Sequence, residues 1–163
     1  MLVIQIDTRE KPQAIQTILK QFEMAGIKVI RTKLWVADYQ LLDNPYLVID
    51  RKANLQELVG NVCQQHKRFT AELTRAKEVG ISVVVLVEHG GDIKSIDDVQ
   101  KWVNPRLKES PLAVSGERLY KILKAMEYTY GVRFEFCDKR HTGQRIMEIL
   151  TEGRNGQTEP VQT

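Results

Sequence analysis

Cysteine is scarce in this 163-residue chain. Cys63 and Cys137 lie far apart and form no CxxC pair. A disulfide framework and a zinc site are therefore not expected, and a reducing compartment is. Long apolar runs are also missing. No stretch approaches the roughly 20 residues that cross a bilayer, and the start, Met1-Leu2-Val3-Ile4, turns polar without a signal-peptide pattern. These absences point to a cytoplasmic protein that does not enter membranes. Excess charge of one sign is nearly absent, with a net charge of +3. Such a balance permits a nucleic-acid partner without demanding one, so the argument rests on where the charges sit. No internal repeat and no interdomain linker interrupts the chain. The expected organisation is one domain over residues 1–151, followed by a polar, disordered tail over 152–163.

What is present is an alternation of strands and helices. Leu2 to Ile6 is a short β-branched run ending at Asp7, and Pro12 suits the first turn of a following helix. Ile15, Ile18, Leu19 and Phe22 recur at helical spacing until Gly26. Ile27 to Val36 predicts a second strand, and residues 38–51 a hairpin turning at Asn44-Pro45. A short helix over Ala53 to Val59 leads into a longer one over Cys63 to Val79. Ile81 to Val87 is the most continuous apolar strand and the expected centre of the sheet. The period weakens through residues 89–114. It returns in a helix carrying Leu119, Leu123 and Met126, a strand over Val132 to Cys137, and a final helix that Thr142 can cap. This order predicts an α/β fold, three layers α/β/α about a central mixed sheet.

The stretch from Ala37 to Lys52 carries the chemistry. Asp38 follows one apolar run and Asp50 closes another, Tyr46 to Ile49. Lys52 lies two residues after Asp50, so on a strand both side chains share a face. Two hard oxygen ligands beside an ammonium suit Mg²⁺, with Mn²⁺ as a substitute, and a phosphate-bound water. Lys52 can then orient the attacking water and stabilise developing negative charge. A solvated strand end is the plain alternative. Asp7 ends a buried strand, where open α/β sheets place their sites. Asp7 and Glu10 can add a metal ligand or support one, or they can complement a helix N-terminus. Arg68 can contact a phosphate or pair with Glu72 four residues on. Trp102, Arg106 and Lys108 flank an irregular segment that can grip DNA, or the indole can anchor that segment to the core.

The order Ile6-Asp7-Thr8-Arg9-Glu10, Ala37-Asp38-Tyr39, Ile49-Asp50-Arg51-Lys52 resembles the nuclease domain of the XPF-type structure-specific endonucleases. That family belongs to the PD-(D/E)XK, restriction-endonuclease-like group. Its hallmark is Gly-Asp, a spacer, Glu-Arg-Lys, three residues, then Asp. Here Ala37 replaces the glycine, Asp50 the glutamate, and Gln56 the last aspartate. The alanine is tolerable if its backbone angle is ordinary, and neighbouring Glu57 is expected to face elsewhere on its helix. His66-Lys67-Arg68-Phe69 loosely resembles the family's Gly-Arg-x-x-x-Gln. The resemblance implies a Mg²⁺-dependent endonuclease for branched, flapped or forked DNA in repair or recombination, acting as a homodimer or paired subunit. It implies a catalytic set of Asp7, Glu10, Asp38, Asp50, Arg51 and Lys52, with metal on Asp7, Asp38 and Asp50. DNA contacts are expected from Arg9, Arg68, Arg106 and Lys108, and no nucleotide cofactor is expected. A stand-alone form without tandem helix-hairpin-helix units is implied. The alternative is a DNA-binding partner subunit that keeps the fold and has lost catalysis.

Overall fold

Alternating side chains build the sheet. The computed structural model describes residues 1–155. Its strands are β1 (Val3–Asp7), β2 (Lys28–Thr32), β3 (Tyr39–Leu41), β4 (Asn44–Lys52), β5 (Ser82–Glu88) and β6 (Arg133–Cys137). They form one six-stranded sheet in the order β2-β1-β3-β4-β5-β6. The pairs β1/β2, β4/β5 and β5/β6 are parallel, whereas β3 runs antiparallel to both β1 and β4. Ile49, Asp50, Arg51 and Lys52 of β4 pair with Val84, Val85, Leu86 and Val87 of β5.

Helices cover both faces, which completes the three layers expected of the sequence. On one side α2 (Leu55–Val59), α3 (His66–Glu78) and α4 (Gly116–Tyr130) pack on the sheet. Their Leu58, Phe69, Leu73, Leu119 and Leu123 join Val48, Val83, Val85 and Val87 in one core cluster. On the other side α1 (Gln16–Met24) and α5 (Thr142–Asn155) bring Ile18, Phe22, Ile146 and Ile149 against Ile4, Ile6, Ile49, Val84 and Leu86. Successive residues of β4 and β5 thus feed opposite cores, as the two-residue strand period requires. No helix among the described residues is long and apolar enough to cross a membrane.

Several local expectations are corrected. β2 ends at Thr32 rather than Val36, because the Leu34 N–H leaves the sheet to donate to Asp7 Oδ2 at 2.8 Å. The hairpin turns at Leu42-Asp43, not at Asn44-Pro45. Asn44 already pairs with Leu41, and the register slips there, so Pro45 to Leu47 fall outside the β3 ladder; a bulge is where a residue lacking an N–H fits. β5 is buried on both faces but lies one place from the edge, with β3 and β4 at the sheet's centre. A π-helical segment, Gly60–Gln64, separates α2 from α3, which begins at His66. Thr142 is already helical, and its hydroxyl donates to Glu88 at 2.8 Å instead of serving as the cap of α5. Helix α5 continues through Asn155, so the polar stretch expected from residue 152 begins inside a helix; residues 156–163 lie outside the described residues.

Candidate active site

β4 delivers the chemistry by its period. Asp50 and Lys52 project toward α3, where Lys52 Nζ lies 3.1 Å from Asp50 Oδ2 and 5.9 Å from the Phe69 ring centroid. Arg51, between them, projects to the opposite face. Its guanidinium pairs with Glu10 at 2.6 and 3.0 Å and with Glu88. Glu10 also accepts the Tyr39 hydroxyl at 2.6 Å, and Glu88 accepts Thr142. Burial pulls against the Arg51 cation, but its two carboxylate partners outweigh that, and its proton is held more tightly than an ordinary arginine's. The Tyr39 phenol is pushed well above its usual range by burial and by Glu10. Arg51 is thus the cationic centre of a buried network that fixes β4 against the segment following β1 and against β5.

The segment 33–38 brings in the second carboxylate. Asp38 N–H donates to the Ile49 carbonyl, Asp38 C=O accepts the Asp7 N–H, and Asp38 Oδ2 accepts the Arg51 N–H, at 2.9, 2.9 and 2.8 Å. With Leu34 also fixed, the chain must turn sharply, and Ala37 takes a φ of 62°. The condition under which alanine is tolerable there, an ordinary backbone angle, is not met. Glycine adopts this conformation without penalty; a side chain costs roughly 1–2 kcal/mol.

Asp38 and Asp50 border the same cleft, their carboxyls within hydrogen-bonding reach of each other. Burial, then the charges of Asp50 and Glu10, push the Asp38 carboxyl up to about 9. Lys52 pairs with Asp50 and Arg51 with Glu10, so Asp38 makes no ion pair of its own among the described residues and negative charge is in excess. A divalent cation answers that excess, so the donor set fits a hard metal ion held by two carboxylates, with water and phosphate oxygens filling the other positions. Among the described residues, no group of three or more His, Cys, Asp or Glu is arranged around a common metal position. The cleft measures about 260 Å³ and is bordered also by Arg9, Glu57, Asn61 and Arg68.

The other expected site residues divide. Asp7 is fully buried and does not border the cleft. Its carboxylate accepts the Arg9 N–H at 2.8 Å, Arg9 Nε at 2.7 Å and the Leu34 N–H. Burial raises its pKa, but these donors outweigh it and hold the carboxyl below the ordinary value. The structure therefore gives Asp7 the task of tying down segment 33–38, with both oxygens engaged. Glu10 serves Arg51. Arg9 and Arg68 border the cleft with exposed guanidinium groups, and Arg68 also pairs with Glu72 at 3.7 Å. Arg106 borders a different cavity, beside the π-helical segment and α4, and Lys108 does not border the cleft. Trp102 packs partly buried against the core and meets His89 edge-on at 6.5 Å, which is the anchoring alternative.

Three residues escaped the sequence reading. Glu57 faces the cleft, contrary to expectation, whereas Gln56 turns away and donates to Asn104 Oδ1 at 2.8 Å. The Asn54 side chain caps α2 by accepting the Glu57 N–H, and Glu57 reaches back to the Ala53 N–H, both at 2.8 Å. The signal was there as Asn-x-x-Glu. Glu88, the second partner of Arg51, ends β5 as Asp7 ends β1. Trp35 stands exposed where Trp102 does not.

Comparison with solved structures finds XPF from Aeropyrum pernix at a TM-score of 0.66 and 21% identity, covering 94% of this chain and 66% of that one. XPF from Aeropyrum pernix in complex with DNA matches at a TM-score of 0.66 and 20% identity, covering 99% of this chain and 69% of that one. The chain thus spans about two thirds of the solved structures it matches and shares their fold. A search of curated proteins finds no match. Among known protein families, the ERCC4 domain matches residues 6–150, a span that takes in the end of β1, strands β2 to β6 and the whole cleft, and the chain belongs to the ERCC4 domain family.

Proposed function

We propose that this chain is a metal-dependent DNA endonuclease that hydrolyses phosphodiester bonds in branched, flapped or forked DNA. The observation that carries this reading is the pair of neighbouring carboxylates, Asp38 and Asp50, with Lys52 bound to Asp50 at 3.1 Å in a cleft bordered by Arg9 and Arg68. Asp38 and Asp50 would hold Mg²⁺, or Mn²⁺ in its place, which would supply charge neutralisation at the phosphate and a more acidic water. Lys52 donates to the anionic oxygen beside Asp50 and orients the water. Arg51 positions β4 through Glu10 and Glu88, and both it and Glu10 border the cleft. Arg9 and Arg68 hold the DNA backbone at the rim. Membership in the ERCC4 domain family and the likeness to XPF support the substrate class.

Pairing of two copies through α4, β6 and α5 belongs to the same reading; Tyr128 stands 93% exposed on α4, and sedimentation tests it. A second reading, a DNA-binding subunit without catalysis, draws on Gln56 turning out of the cleft. Labelled flap, fork and linear duplex DNA, incubated with Mg²⁺, Mn²⁺ or chelator, separate the two. Metal-dependent cutting that Asp50→Asn and Lys52→Ala abolish supports the nuclease. Binding without cutting of any substrate overturns it in favour of the partner subunit.

A further inference from the structure

Trp35 sits in the one part of the site where a large apolar side chain is held out of the core. Its exposure is 66%, and its indole N–H has no partner among the described residues. The backbone on both sides is fixed: Leu34 is buried and bonded to Asp7, and Asp38 is bonded to β1 and β4. Ala37 holds a strained angle between these anchors. The indole is therefore presented by a rigid segment and loses little freedom on binding.

A cavity of about 140 Å³ lies against Trp35, bordered by Arg9, Val36, Ala37, Glu72 and Arg75. Arg9, Val36, Ala37 and Glu72 border the catalytic cleft as well, so the two spaces share a wall. Arg75 is exposed and unpaired among the described residues, and the Arg9 side chain is 66% exposed although its Nε is engaged by Asp7 at 2.7 Å. Glu72 opposes an anion here, but Arg68 at 3.7 Å offsets it, and Arg9 feels its charge.

We infer that Trp35, Arg9 and Arg75 form a subsite for an unpaired nucleotide adjoining the scissile phosphate, the base stacking on the indole and its phosphate meeting the two guanidinium groups. An indole face with flanking cations binds a base without reading its sequence. A base inside a duplex is already stacked on both sides and offers no face to it. The subsite thus favours DNA with a splayed or single-stranded nucleotide at the cut. The inference rests on the nuclease reading for its meaning, but its test does not.

Intrinsic fluorescence is followed in chelator as flap DNA, a single-stranded oligonucleotide and blunt duplex are added to the unmodified protein, Trp35→Phe and Trp35→Ala. The difference between the unmodified protein and Trp35→Phe isolates the emission of Trp35. Expected are saturable quenching of that emission by flap and single-stranded DNA but not by blunt duplex, and flap affinity lowered roughly tenfold in Trp35→Ala. Trp35→Phe is expected to recover most of that loss, and duplex affinity to stay unchanged. Silent Trp35 emission, equal quenching by blunt duplex, or unchanged flap affinity in Trp35→Ala overturns the inference. Binding with quenching but no cutting in metal sinks the nuclease and keeps the subsite. Cutting with a silent Trp35 does the reverse.

Discussion

Lys52 Nζ stands 3.1 Å from Asp50 Oδ2, and both side chains are largely withdrawn from solvent. Removing one member leaves the other as an uncompensated charge close to Asp38. Lys52→Ala is expected to reduce metal-dependent cleavage at least about a hundredfold. It should also lower the stability of the metal-free protein by roughly 1–3 kcal/mol. Single-turnover cleavage and urea unfolding in chelator check the two effects separately. Unchanged cleavage would remove Lys52 from the mechanism.

The Asp38 carboxyl keeps its proton to about 9 in the folded protein, against an ordinary value of 3.8. Across that window the folded state binds more protons than the unfolded chain, so this residue makes stability fall as pH rises. The metal-free protein should melt at a lower temperature at pH 8 than at pH 5.5, and Asp38→Asn should flatten that slope. Added Mg²⁺ should raise the melting temperature more at the higher pH. Thermal scans in chelator and in Mg²⁺ measure all of these, and a slope unchanged by Asp38→Asn would contradict the assignment.

Arg51 joins Glu10 and Glu88, and its side chain is 10% exposed. Arg51→Met leaves two carboxylates buried without their cation, at an expected cost of about 3–5 kcal/mol. Arg51→Lys should recover only part of this, since one ammonium cannot reproduce the forked contact with Glu10. Chemical denaturation ranks the variants; equal stability of Arg51→Lys and the unmodified protein would be inconsistent with that geometry.

Ala37→Gly releases the strain of the left-handed angle and gains backbone entropy in the unfolded chain. The first effect is about 1–2 kcal/mol and the second about 0.4–1 in the opposite direction. A net stabilisation of about 0.5–1 kcal/mol is expected. A melting temperature below that of the unmodified protein would be evidence against the conformation.

Glu57→Gln keeps an oxygen for the Ala53 N–H but takes a charge from the cleft. It should alter cleavage, whereas Gln56→Asp, which restores the family's residue type, should not raise it, because that position faces Asn104. Paired cleavage rates for the two variants decide which carboxylate position belongs to the site.

Much of this was legible because it depends on short-range period. The strand alternation through Tyr46 to Lys52 placed Asp50 and Lys52 together, and the stripe Leu119, Leu123, Met126 placed α4. What was not legible depends on contacts distant in sequence. Ala37 takes its angle because Leu34 is held by Asp7, 27 residues away. The choice between Gln56 and Glu57 follows from where Asn54 starts the helix, which a fixed three-residue spacer does not encode. Trp102 and Trp35 are indistinguishable by local pattern, since burial of an indole is decided by the surrounding layers. Asp7 reads as a strand-end carboxylate in either case, and only the donors from Arg9 and Leu34 show that its oxygens are taken.

The parallel pairing of β4 with β5 has a further consequence. A shift of β4 by a single residue would turn Arg51 toward α3 and send Asp50 and Lys52 to the side of Glu10 and Glu88. Such a slip would cost little apolar burial, because both faces of the strand are covered. It would nonetheless take the cation from Glu10 and Glu88 and leave a guanidinium without carboxylate partners beside α3. Alignment of β4 is thus enforced by its buried ion pairs more than by its apolar residues.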